Sequence, residues 1–432
     1  MACRARGAWL GLAAGALLLL GSCALPPPGP PPATPTVAPP AAPVAPAPAS
    51  GAAPAPRTAL PLSPSSFAQL PGWSDDRFGD LWQAWRRDCA ARIEWLADAC
   101  RASSTIADDD TTAQRAFFEQ WFQPWQLLSA DGAEQGLLTG YFEPIYAGST
   151  RRGGRYVVPV WGRPADLVDL PAPPTGQTDR GRLVQQPDGS RQVVPFWSRA
   201  QIAHDPAARA LLDRHVVAWL ANPVDALFLQ VQGSGLVRLP DGSLLRLSYD
   251  GDNGWPYRSI GRWLLERGKL RGGVTMQSIR AWARAHPLQV QHMLDANPRV
   301  VFFRTTPLDG ADRGPVGALG VPLTAMRSIA VDKRLLGLGL PIWVSTEVGG
   351  RPLRRLMFAQ DVGSAIQGAL RGDLFFGTGH AAGQAAGRMQ SPARMWVLLP
   401  RTPAPQPAPQ PALAAASAAT PSTQPAAAAR LR

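Results

Sequence analysis

The sequence predicts a mainly β protein with flanking helices. Three observations carry that expectation. Short apolar runs bounded by Pro and Gly recur from about residue 136 to 250 and again from Gly317 to Leu399, the texture of strands and turns. Two earlier segments repeat apolar residues at helical spacing. A block of helical pattern over about 260–296 then separates the two β-rich regions.

The ends of the chain are of another kind. Arg4 and Arg6 form a positive n-region, Trp9 to Leu20 an apolar run, and Leu20-Gly21-Ser22-Cys23 a small-residue site ending in cysteine. That run is too short to span a bilayer as a mature helix, so residues 1–23 read as a targeting segment. The LGSC ending resembles the bacterial lipobox, which implies lipidation at Cys23. Ala24 follows where an aspartate would favour inner-membrane retention, so outer-membrane lipid is the expected anchor. Residues 24–62 are almost entirely Pro and Ala with Thr, Val and Gly, and 401–432 repeat that composition. Neither can bury a core. As a tether, about 40 residues at about 3.1 Å each reach roughly 100 Å.

The net charge is +12, from 43 basic and 31 acidic residues. The basic residues are scattered in pairs such as Arg86-Arg87, Arg151-Arg152 and Arg354-Arg355, not gathered in the stripe a nucleic-acid binder needs. A polyanionic wall polymer is the better electrostatic partner. Cys89 and Cys100 could pair in an oxidising compartment. A continuous helix over them would hold their Cα atoms about 16 Å apart, beyond the reach of a disulfide, so a bond requires a break between them.

The body begins with helical spacing over 76–101 (Phe78, Leu81, Trp82, Trp85, Cys89, Ile93, Leu96, Cys100) and over Thr112 to Leu127. These aromatics are expected to pack, not to serve as sugar platforms. Gly136 to Pro144 reads as a short strand ending in polar residues. Strands follow at Tyr156 to Trp161, Val193 to Trp197, Leu227 to Val231, Leu236 to Leu239 and Leu244 to Tyr249, with a hairpin turn at Pro240-Asp241-Gly242-Ser243 and one helix at Asp205 to Ala221. Helices are expected through Arg267, from Thr275, and over Pro287 to Ala296, then a strand at Val300 to Phe303. From Val321-Pro322-Leu323 and Ile329 to Asp332, through Leu340 to Val344, Leu356 to Ala359, Leu374 to Phe376 and Met395 to Leu399, the strands would close a small six-stranded barrel, with a short helical stretch at Gly363 to Gly368.

Asp361 closes one of these strands and Asp373 opens another, so a barrel could bring two carboxylates to one site, the simplest arrangement for acid and base work on a glycosidic or acyl bond. Taken alone, aspartates beside glycine are more often turn or cap residues. Other chemistries are poorly supported. Gln232-Gly233-Ser234-Gly235 lacks the glycine two before the serine that a nucleophile elbow needs. There is no HExxH and the five histidines are scattered, so no metal is expected. Gly377 to Gly383 is a displaced match to a dinucleotide loop without its acidic partner. No cofactor is expected.

Gly140-Tyr141-Phe142-Glu143-Pro144, Gln230 to Gly235, Asn253-Gly254-Trp255-Pro256-Tyr257-Arg258-Ser259-Ile260-Gly261, Met276-Gln277-Ser278-Ile279 and the block Ala359 to Gly379 together resemble the membrane-bound lytic transglycosylase A family, over roughly Ala113 to Leu399. Phe142 stands where tyrosine is frequent in that family, Trp255 where histidine is frequent, and the Asp361 to Asp373 spacing differs by a residue. The resemblance implies a double-psi β-barrel from 63–143 and 307–400, with a second β domain inserted at 144–306 and a substrate groove between them. It implies cleavage of the β-1,4 bond between N-acetylmuramic acid and N-acetylglucosamine in peptidoglycan glycan strands, leaving a 1,6-anhydromuramic end. The single catalytic acid falls on Asp373, supported by Asp361 and Asp332. Thr139, Tyr141, Glu143, Gln232, Ser234, Tyr257 and Arg258 are candidate groove contacts. Expected surroundings are the periplasmic face of the outer membrane and the cell-wall synthesis proteins there. The competing expectations are a two-carboxylate glycoside hydrolase and a non-catalytic peptidoglycan-binding lipoprotein.

Overall fold

The computed structural model describes residues 60–170, 179–308 and 314–401. Cys23, nearly all of the 24–62 segment and the tail beyond Arg401 lie outside the described residues. Among those described, no helix is long and apolar enough to cross a membrane.

Six strands close on themselves. Gln390–Pro400 pairs with Pro341–Val348, which pairs with Arg351–Val362, then Ser328–Val331, Arg371–Thr378 and Gly136–Glu143, and the last of these returns to Gln390–Pro400. Two pairings are parallel, Ser328–Val331 with Arg351–Val362 and Arg371–Thr378 with Gly136–Glu143; the others are antiparallel. Closure removes free edges, and the interior fills with Ile329, Ile342, Val344, Met357, Leu374 and Met395, each at most 1% exposed. The sixth strand is the expected Gly136 segment, not Val321 to Leu323, which lies in a loop with one isolated bridge.

The other β body carries a six-stranded sheet, ordered Val301–Thr306, Leu244–Asp252, Ser234–Arg238, Ile145–Ser149, Val216–Leu220 and Val158–Trp161, and a three-stranded meander over 167–195. Pro144 alone separates the barrel strand ending at Glu143 from the sheet strand beginning at Ile145. Helices Pro223–Gln232, Ile260–Glu266, Met276–Ala285 and Val290–Asp295 share a core against this sheet.

Several elements differ from the sequence reading. Leu227 to Val231 is helical, not extended: Asn222 caps Val224 N, Pro223 takes the first turn and Gly233 closes the helix at φ 75°. The helix begun by Asp205 stops at Asp213, and β-branched Val216 and Val217 open a strand. Helix Thr111–Trp121 yields to strand Phe122–Leu127, whose Pro124 cannot sit inside a helix. Gly363 to Gly368 is a set of turns, and the helix lies instead at His380–Ala386.

The 76–101 segment is broken as a disulfide requires. Helix Leu81–Ala90 ends, Arg92 adopts φ 54°, and a second helix runs over Ala97–Ala102. That reversal brings the Cys89 and Cys100 Cα atoms to 5.5 Å, and the two are bonded. Trp82, Trp85, Phe117, Phe118 and Phe122 pack on one another and on Phe358 of the barrel, so these aromatics are core.

Candidate active site

Alternation along Arg371–Thr378 sets the site. Gly372 faces the interior, where an added Cβ would meet Ile329 and Leu138 at 2.7 and 2.9 Å, so Arg371 and Asp373 project together from the other face. Ala330 pairs with Asp361 on one side and Asp373 on the other. The two aspartates therefore flank one central strand, roughly 10 Å apart at Cα.

Asp373 opens on a cleft of about 160 Å³ whose walls come from both β bodies. Arg199, Gln230, Tyr257, Asn297 and Arg299 line one side; Ser364, Ala365, Ile366 and Arg371 join Asp373 on the other. The Thr139 hydroxyl donates to Asp373 Oδ1 at 2.6 Å. Burial pushes the Asp373 carboxyl up to about 6, with the negative charge of Asp361 adding to it and Thr139 and Arg371 opposing. A carboxylic acid that keeps its proton near neutrality can donate it to a leaving oxygen.

Asp361 is tied differently. Tyr141 Oη donates to its Oδ2 at 2.8 Å, and the backbone N–H groups of Ala318 and Val362 donate to Oδ1 at 3.1 and 2.9 Å. Burial raises this carboxyl while those three donors favour its anion. Burial and the two nearby carboxylates push the Tyr141 hydroxyl well up, so it stays a donor.

Asp332 is placed as a structural clamp. Arg334 binds both its oxygens, at 2.9 and 2.7 Å, and Gly368 N donates to Oδ2 at 2.9 Å. The Arg334 hydrogen bonds hold its carboxyl well below the usual range. Its reach to the cleft runs through the turn 363–368, whose Ser364, Ala365 and Ile366 form the wall.

The other expected contacts divide. Tyr257 lines the cleft, while Arg258 is exposed and its backbone N–H donates to Asn297 Oδ1 at 3.2 Å. Glu143 is fully buried, bonded by Arg246 and by Thr378 Oγ1 at 2.8 Å. Gln232 accepts from Phe142 N at 2.9 Å, and Ser234 is buried in a strand opposite Ser248. These three join the two bodies or the sheet, and do not line the cleft. Phe142 packs its ring on Gly383, and Trp255 Nε1 donates to Phe196 O at 2.9 Å. Sequence reading missed Arg371, Arg199 and Asn297. For Arg371 the signal was present, since residues two apart on a strand share a face with Asp373. For Arg199 and Asn297, about 100 positions apart, nothing local announced that they meet.

Among the described residues, no group of three or more His, Cys, Asp or Glu side chains could hold a metal ion.

Comparison with known proteins places this architecture. Residues 137–304 match the MltA specific insert domain and residues 327–399 the 3D domain. The chain is 33% identical over 303 residues to membrane-bound lytic murein transglycosylase A of Escherichia coli K12, covering 68% of this chain and 72% of that protein. Among solved structures, lytic transglycosylase LtgG of Burkholderia pseudomallei is 44% identical with a TM-score of 0.53, covering 79% of this chain and 96% of that one. The membrane-bound lytic murein transglycosylase of Agrobacterium tumefaciens is 31% identical with a TM-score of 0.68, covering 79% and 98%. E. coli MltA with bound chitohexaose is 26% identical with a TM-score of 0.61, covering 80% and 96%. With a closed barrel carrying the aspartates, a second β body facing them, and that identity across most of a curated relative, the chain belongs to the membrane-bound lytic murein transglycosylase A family.

Proposed function

We propose that this enzyme cleaves peptidoglycan glycan strands as a lytic transglycosylase, with Asp373 as its single acid and base. The observation that carries the reading is the state of Asp373: half-buried at the cleft, pushed up to about 6, and hydrogen-bonded through Oδ1. A relative of the same architecture binds chitohexaose, a β-1,4 glycan.

Protonated Asp373 donates to the glycosidic oxygen of N-acetylglucosamine as the bond to C1 of N-acetylmuramic acid breaks. The C6 hydroxyl of the same muramic ring attacks C1, a closure favoured by proximity, and gives its proton to the now ionised Asp373. One C–O bond breaks, one forms, and no water is consumed. Burial keeps Asp373 protonated at the outset, and the negative charge Asp361 carries, favoured by its three donors against its own burial, adds to that effect. Cys23 would anchor the enzyme in outer-membrane lipid, with 24–62 as its tether into the wall and the body on the periplasmic side.

The test is incubation with purified peptidoglycan and mass measurement of the released muropeptides. Products lighter by one water than their reducing counterparts support the reading. A reducing muramic end with uptake of labelled water would instead support hydrolysis by Asp361 with Asp373. Full turnover by Asp373→Asn would leave a non-catalytic role for this cleft.

A further inference from the structure

Asp373 Oδ1 and Oδ2 are not equivalent, and the difference traces to a residue the reaction does not touch. Arg371 Nη2 donates to Thr139 Oγ1 at 2.8 Å, and Thr139 Oγ1 lies 2.6 Å from Asp373 Oδ1. A guanidinium has donors and no acceptor, so the Thr139 oxygen is occupied as an acceptor and its one hydrogen is committed to Asp373. The Arg371 head is itself fixed, with Nη1 on the carbonyls of Leu137 and Gly372. The register supports the arrangement, pairing Arg371 with Leu137 and Asp373 with Thr139 on adjacent parallel strands. Among the described residues, Asp373 Oδ2 has no hydrogen bond, and Asp373 lines the cleft.

We infer that Arg371, acting through the Thr139 hydroxyl, is a positioning residue that places the acid proton of Asp373 on Oδ2, toward the glycosidic oxygen. With Oδ1 already accepting a committed hydrogen, a proton there would meet the Thr139 hydrogen head-on, and Oδ2 is the oxygen left to carry it. The same two groups favour the carboxylate after transfer, which the second half of the reaction needs if Asp373 is to take the C6 proton reversibly. The charged and titratable groups around Asp373 are Arg371 on its own strand, Tyr141 on Gly136–Glu143, Asp361 on Arg351–Val362, and Arg199, Tyr257 and Arg299 across the cleft, with the neutral Thr139 hydroxyl bonded to the carboxyl. Among the described residues, Arg371 and Thr139 form the hydrogen-bonded arm on the carboxyl.

This inference rests on the proposed role of Asp373, and the experiment separates the two. Thr139→Val, Thr139→Ser, Arg371→Met and Asp373→Asn are compared with the parent enzyme for muropeptide release across pH, with chitohexaose affinity as a control for cleft integrity. Thr139→Val should lower kcat by about tenfold or more with chitohexaose affinity kept, a part of the contribution a positioned acid makes. Its alkaline limb should move to higher pH, because the group that favoured the anion is gone. Arg371→Met should shift the limb in the same direction, and Thr139→Ser, which restores the hydroxyl, should return both kcat and the limb. If Arg371→Met does not fold, the Val and Ser pair still decides. A Thr139→Val enzyme with parental kcat and limb, or a Ser variant no better than Val, overturns the inference while an inactive Asp373→Asn leaves the reading of Asp373 standing. An active Asp373→Asn overturns both.

Discussion

Glu143 and Arg246 form a buried ion pair, with Nε and Nη2 at 3.0 and 3.3 Å from the two carboxylate oxygens, the first in a barrel strand and the second in the sheet that faces it. Their side chains are 0% and 7% exposed. Because Pro144 is the sole residue between the two strands here, this pair and the Thr378 hydrogen bond fix the angle at which the chain leaves the barrel. Removing one member of such a pair costs about 3 kcal/mol, since the other charge stays buried. Glu143→Gln should therefore lower stability by about that amount in urea denaturation. On the proposed function it should also weaken binding of a β-1,4 glycan such as chitohexaose, by disturbing two walls that must face each other. Parental stability together with parental affinity would refute this account of the hinge.

The Glu143 case shows what the sequence could and could not reveal. Its motif was legible, yet a groove contact and a buried ion pair look identical until Arg246, 103 positions away, is placed beside it. Strands of the barrel were legible where they alternate with turn residues, as at Leu356 to Ala359 and Leu374 to Phe376. The helix Pro223–Gln232 was not, because a segment buried on most sides has no polar stripe and its apolar run mimics a strand. Its caps, Asn222 and Gly233, were the better signal. Asp361 and Asp373 were legible as candidates, while the arm of Arg371 and Thr139, 232 positions apart in the chain, depends on register between strands, which no local pattern encodes.

Reducing the Cys89–Cys100 bond should loosen the aromatic layer that these helices form against the barrel. Closing a loop of this length contributes about 3 kcal/mol through the unfolded chain. A Cys89→Ser, Cys100→Ser double variant should lose about that much, and the parent should lose the same on adding reductant. Intact mass without reductant should be two hydrogens below the reduced value. Two titratable free thiols in the oxidised preparation would remove the basis of the prediction.

Asp373, the proposed acid, should cost stability. Its carboxyl is raised from 3.8 to about 6, so the folded state holds a proton that the unfolded chain releases. Stability from this group is complete below about pH 4 and is lost as pH rises through about 6. Above that the penalty is on the order of 3 kcal/mol. Asp373→Asn, which cannot ionise, should be more stable than the parent at pH 7.5 and indistinguishable from it near pH 3.5. Turnover by the parent should fall over the same interval, as the acid loses its proton. Thermal unfolding of both proteins across pH measures the first effect, and equal unfolding midpoints at pH 7.5 would contradict it.

Asp332 should behave in the opposite sense. Arg334 and Gly368 N hold its carboxyl below the usual range, so the folded state favours the anion. Its contribution is present above about pH 4, where the unfolded carboxyl is ionised, and is lost as pH falls through the depressed folded value. Asp332→Asn keeps the shape but weakens charge-assisted bonds, and should cost about 2 kcal/mol at pH 7. That difference should shrink toward zero in strong acid. The turn it secures carries Ser364, Ala365 and Ile366 into the cleft wall, so the variant should raise KM for glycan strands while kcat changes little. A kcat collapse with KM unchanged would place Asp332 in the chemistry beside Asp373, and pH-rate profiles of the two aspartate variants would then have to be read as those of a coupled pair.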